Sequence, residues 1–173
     1  MKDAKLTEEE KDGKNREVFF ENLKGALEVE PHLGLCCQRI GLLIKNGGVR
    51  TKCERLALSA KEAEGKLQGI FQREGVVFKI EHRCQFCRLK PDNFSLEGAI
   101  NLGLEIVKVG IQYYRNLVRL SRGDDRSLFV GLLKDKLRHR RMLLVEQGFE
   151  RTWRKGGVID DFCLPRIISQ LWR

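Results

Sequence analysis

Between Ser95 and Glu150, two long apolar-periodic runs meet at a short Gly123-Asp124-Asp125 turn. The first reads SLEGAINLGLEIVKVGIQYYRNLVRL and the second SLFVGLLKDKLRHRRMLL. Apolar residues spaced three and four apart line one face of a helix. Two such helices across a tight turn fold back on each other as a helical hairpin. A hairpin of this length leaves one apolar face on each helix uncovered, so the rest of the chain must cover it.

The upstream half supplies a second pair. A first helix is expected from about residue 16 to 45, with Phe19, Phe20, Leu23, Leu27, Leu35, Ile40 and Leu43 among its apolar residues. Pro31 lies inside it and removes a backbone donor, which predicts a kink or break near Val29-Glu30. Asn46-Gly47-Gly48 is expected to end the helix through a left-handed glycine cap. A second helix follows from about 50 to 73, with Cys53, Leu56, Ala60, Ala63, Leu67, Ile70 and Phe71 at helical spacing and Gly75 as its stop. The next stretch, VVFKIEHRCQFCRLKPDN, loses this periodicity and reads as a long connection. Ser95 then caps a third helix, about 96 to 121, with Glu97 in its first turn. A fourth spans about 125 to 147.

The order of hairpin, long connection, hairpin predicts an all-α four-helix bundle with a single crossover. Residues 1–15 read as a charged flexible tail, with Thr7 and Glu10 spaced for a capping box. The bundle is expected over 16–150. A C-terminal tail with a short helix is expected over 151–173, carrying Phe162, Leu164, Ile167, Ile168, Leu171 and Trp172. It is expected to dock on the bundle or on a partner.

Composition narrows the function classes. No apolar run reaches the length of a membrane span, and the charged start MKDAKLTEEEKDGKN is unlike a secretory signal. A cytoplasmic chain with reduced cysteines is the expectation. The net charge of +9 is uneven: residues 115–155 hold 12 Lys/Arg against 5 Asp/Glu. This excess reads either as a solvated helix face or as a nucleic-acid surface using Arg115, Arg119, Arg122, Arg138, Arg140 and Arg141.

The two hairpins superpose on each other. Glu30 falls on Val107 and Cys37 on Tyr114 at one offset (107 − 30 and 114 − 37), while Cys53 falls on Phe129 and Ala63 on His139 at an offset shorter by one residue. This suggests two related αα units. The run LEGAINLGLEIVKVGIQYYRNLVRL followed by LFVGLLKDKLRHRRMLL resembles the rubrerythrin branch of the ferritin-like superfamily, over about residues 27–147. In that family an aromatic pair closes one helix, and Glu-x-x-His opens the apolar part of the next. Tyr113-Tyr114 and His139 occupy those places.

The resemblance implies a di-iron centre built from one Glu and one Glu-x-x-His pair per half. The corresponding positions are Glu30, Ala60 and Ala63 in the first half and Val107, Lys136 and His139 in the second. Only Glu30 and His139 keep a usable ligand, because Ala and Val cannot coordinate and Lys136 brings a positive charge of its own. Di-iron oxidase or peroxidase chemistry is therefore disfavoured. In place of the metals, Lys136, with or without His139, is expected to neutralise Glu30. The alternative is that Lys136 reaches solvent and Glu30 sits at a helix end beside Pro31.

A second constellation is His82-Arg83-Cys84-Gln85-Phe86-Cys87. Cys84 and Cys87, with His82 as a third ligand, offer part of a zinc or iron site, but a secure structural site usually needs a second cysteine pair. The leading expectation is a non-catalytic ferritin-like bundle with a degenerate di-iron site, no cofactor, and a role in binding a partner or small molecule. A homodimer is open. The alternatives are a metal protein using the C-x-x-C loop and a basic nucleic-acid-binding bundle.

Overall fold

A computed structural model describes residues 8–77 and 94–154, with side chains from 13 to 77 and from 94 to 148. Four helices account for almost all of it: α1 Glu8–Leu43, α2 Gly47–Arg73, α3 Leu96–Leu120 and α4 Gly123–Arg154. No strand occurs among the described residues. No described helix is long and apolar enough to cross a membrane.

The ends of these helices follow from local chemistry. The Ser95 side chain accepts from the Gly98 amide at 3.2 Å, which caps α3 as expected. Gly75 takes a left-handed φ of 65° just after α2, a conformation that costs glycine little.

Three expectations are corrected. Asn46 opens α2 rather than closing α1: its side chain accepts from the amides of Gly48 and Val49, and Gly47 begins the new helix. A short polar side chain that satisfies two orphan donors outcompetes a glycine cap here. The helical chain also begins at Glu8, inside the stretch read as a tail. At the other end α4 continues to Arg154, past the expected boundary at 150.

Helix α1 also runs through Pro31 without a break. Proline deprives the Leu27 carbonyl of its usual donor. Around this point, however, α1 is buried almost all round, from Gly25 to Glu30. Packing against α2 and α3 keeps this stretch helical, which local propensity alone does not do.

Neighbouring helices run antiparallel. Gly34 and Gly41 of α1 face Ala57 and Cys53 of α2. Along α3, Gly103 lies by Cys36 and Ile40, Gly110 by Val29, and Tyr113 over Gly25. The bare backbone at Gly25 is what lets the Tyr113 ring of α3 lie against α1, since a Cβ there would meet the ring at 2.4–2.8 Å. Gln147 of α4 donates to Asn101 of α3 at 2.6 Å, and Arg73 of α2 pairs with Asp125 of α4 at 2.6 Å. Consequently α2 and α3 point the same way. The end of α2 and the start of α3 lie at opposite ends of the bundle, which makes the topology two hairpins with a lengthwise crossover.

The core divides into two apolar clusters along the bundle axis. One gathers Val29, Leu33, Cys37, Ile40, Ala60, Ile106, Val107 and Leu143. The other gathers Leu23, Leu27, Ala63, Leu67, Phe71, Tyr114, Leu117 and Phe129. Glu30 and Lys136 belong to neither and lie at the junction between them.

A buried charge cluster as the candidate functional site

Glu30 comes from the middle of α1 and Lys136 from the middle of α4, and each is about 1% exposed. The Lys136 ammonium donates to one carboxylate oxygen of Glu30 at 2.5 Å. The Tyr114 hydroxyl of α3 donates to the other at 2.6 Å. Three helices thus meet on one carboxylate, and both of its oxygens are engaged. A buried charge without a partner costs several kcal/mol, so a carboxylate this deep requires such company.

The electrostatics agree with this geometry. Burial pushes the Glu30 carboxyl above its usual value, and the Lys136 charge and the two hydrogen bonds offset only part of that rise. Burial, and then the carboxylate, push the Tyr114 hydroxyl well above the ordinary tyrosine value, so it stays a donor. His139 lies one turn beyond Lys136 and is also buried. Burial first, and then the nearby Lys136 and Arg138 charges, lower its pKa to about 3, so it is neutral near pH 7. Its Nδ1 atom has no hydrogen-bond partner among the described residues. Lys136 therefore neutralises Glu30 without help from the imidazole.

The six positions singled out in the sequence are all buried: Glu30, Ala60, Ala63, Val107, Lys136 and His139. Ala60 and Val107 fall in one apolar cluster and Ala63 in the other, so apolar groups flank the ion pair on both sides. The alternative in which Lys136 reaches solvent does not occur.

Cys37, the counterpart of Tyr114, is buried next to this centre, and Cys36 and Cys53 are buried nearby. Burial raises the Cys36 thiol to about 12 and the Cys53 thiol to about 11, and it raises Cys37 further. Thiols held this way are poor nucleophiles and poor metal ligands. Among the described residues no three His, Cys, Asp or Glu side chains come together in a metal-binding group.

Tyr114 is the residue whose role sequence reasoning missed. It was visible as the second member of an aromatic pair, but its hydroxyl was given no work. The available signal was its register: it lies seven residues, two helical turns, after Val107, on the same face of α3. Glu28 and Glu146 were also missed. Both are buried, Glu28 has one oxygen without a partner among the described residues, and burial raises the Glu146 carboxyl despite nearby Lys52.

The remaining sequence candidates fall elsewhere. Arg115, Arg119, Arg122, Arg138, Arg140 and Arg141 are all exposed; Arg115 and Arg119 share one row of α3, and Arg122 lies in the turn that follows it. Arg138 pairs with Asp135 at 3.3 Å. His82, Cys84 and Cys87 lie outside the described residues, as do Thr7 and the C-terminal tail beyond 154. No family model, curated protein or solved structure matches the chain.

Proposed function

We propose that this chain is a ferritin-like bundle whose di-metal centre has been replaced by a protein-only charge cluster, and that it acts without catalysis, by binding a partner or small molecule. The observation that carries the reading is the Lys136–Glu30–Tyr114 cluster, buried where the two helix hairpins meet. In a di-iron bundle, cations at that junction balance inward-facing carboxylates. Here one ammonium does the balancing for one carboxylate. The antiparallel hairpins and lengthwise crossover are consistent with that ancestry, and the apolar Ala60, Ala63 and Val107 occupy space that ligands would need.

Elemental analysis of protein expressed in iron-supplemented medium tests the reading. The expected result is no iron that depends on Glu30 or His139. Two irons per chain, lost on Glu30→Ala/His139→Ala substitution, overturns it. Iron or zinc lost only on Cys84→Ala/Cys87→Ala substitution assigns metal to the C-x-x-C loop and leaves the bundle reading standing.

A second reading is favoured by the exposure of all six arginines, with Arg115 and Arg119 in one row of α3 and Arg122 in the turn just after it. A nucleic-acid surface built from them binds through phosphate contacts and weakens steeply with salt. Retention of a labelled oligonucleotide at about 50 mM salt, lost when these three are changed to Glu, supports this reading; no retention refutes it.

A further inference from the structure

The end of the bundle that carries the α3–α4 turn holds a cavity of about 390 Å³. None of the residues in the buried charge cluster lines it. Phe19 and Phe20 form its apolar side. Phe19 packs edge-on against Phe20 at 5.5 Å and against Phe129 at 6.0 Å, while Phe20 leans on Phe71 at 6.0 Å. Both lining rings are therefore braced from behind by core residues, which gives the cavity a firm wall.

Its lining carries two guanidiniums and two carboxylates, and Arg73 beside it adds a third cation. Glu74 is held by Arg16 at 3.4 Å, and Asp125 by Arg73 at 2.6 Å. Arg16 also lies over the Phe20 ring, 5.8 Å from its centre. Arg122 lines the same cavity, is exposed, and has no carboxylate within ion-pair distance among the described residues. Both rim carboxylates are thus already neutralised, and one guanidinium is left over.

We propose that this cavity binds a small molecule with a flat apolar body and one terminal anion. The body packs against Phe19 and Phe20, where aromatic surface favours a planar partner. The anion pairs with Arg122, whose planar fork suits carboxylate, sulfonate or phosphate oxygens. The volume lies within the span of ordinary small-molecule sites. A cationic ligand is disfavoured because neither carboxylate is unpaired. The site does not depend on what became of the metal centre, so the two proposals stand or fall separately.

Anilinonaphthalene sulfonate is a suitable probe, because its fused rings and its sulfonate match the two halves of the site. The expected result is a fluorescence rise that saturates at one dye per chain. Binding should weaken at least about tenfold in Arg122→Glu, as expected for loss of a charge-assisted contact and its replacement by repulsion. The neutral parent, anilinonaphthalene, should bind both proteins alike. In heteronuclear NMR titrations the amide signals of Phe19, Phe20 and Leu120 should move. Arg122 is exposed, so the variant should keep the wild-type melting temperature. Unchanged dye binding in Arg122→Glu, several dyes per chain, or shifted signals confined to another part of the bundle overturns the proposal.

Discussion

Lys136→Met removes the one cation beside Glu30 while keeping nearly the same side-chain volume. The stranded carboxylate then has two courses. It stays ionised in a dry site with only the Tyr114 hydroxyl for company, or it takes up a proton. Protonation at pH 7, against an ordinary value of 4.5, spans two and a half units and costs about 3 kcal/mol. That route sets a ceiling on the loss. It agrees with the roughly 3–5 kcal/mol typical of breaking one side of a buried pair. For a chain of this size, about 2–4 °C of melting temperature goes with each kcal/mol, so Lys136→Met should melt about 6–12 °C below wild type at pH 7. The deficit should shrink with acid. Without the ammonium, the folded-state value for Glu30 rises further, so the stability this group contributes is present below about pH 4.5 and lost as pH rises. At pH 5 the protonation cost is under about 1 kcal/mol, and most of the difference from wild type should disappear. In Glu30→Gln/Lys136→Met both charges go, the introduced amide oxygen still accepts from Tyr114, and stability should return to within about 1 kcal/mol of wild type. Differential scanning calorimetry of the three proteins at pH 7 and pH 5 reads all of this. A single variant as stable as wild type at pH 7, or a double variant no better than the single one, refutes the reasoning.

Tyr114→Phe deletes one of the two donors to Glu30 and should cost about 1–3 kcal/mol in chemical denaturation at pH 7. His139 should make the protein sensitive to acid. Its pKa falls from 6.5 to about 3 on folding, so the unfolded chain binds this proton first and stability is lost as pH falls through that window, by at most about 5 kcal/mol. The difference in urea stability between wild type and His139→Leu should therefore change with pH between 6.5 and 3, and a difference that stays constant refutes the assignment. Gly25→Ala places a methyl group 2.4–2.8 Å from the Tyr113 ring. It should lower stability by about 1–3 kcal/mol, whereas Gly65→Ala, with nothing near its added methyl, should be neutral or stabilising.

The helices themselves were legible in the sequence, because their causes are local. Apolar spacing located all four to within a few residues at most ends, and Ser95 and Gly75 act where their chemistry predicts. The exceptions were places where two local signals competed or where packing overruled one. Asn46 faced a choice between closing one helix and opening the next, and two amide hydrogen bonds decided it. Pro31 argued for a kink or break, but a buried stretch of α1 held between two neighbours stays helical despite a single missing donor. The charge cluster divides in the same way. Internal superposition of the hairpins set Glu30 level with Val107, and the resemblance to a di-iron bundle placed Lys136 among the same six positions. It left open whether Lys136 turns inward, because a lysine side chain is long enough to reach either water or the core. Tertiary structure decided the matter: it put Glu30 about 1% exposed between two apolar clusters, where no water competes for the carboxylate. The Tyr114 hydroxyl belongs wholly to that level. Its bond to Glu30 joins residues 84 positions apart on separate helices, and only the close approach of α3 to α1 brings them within 2.6 Å.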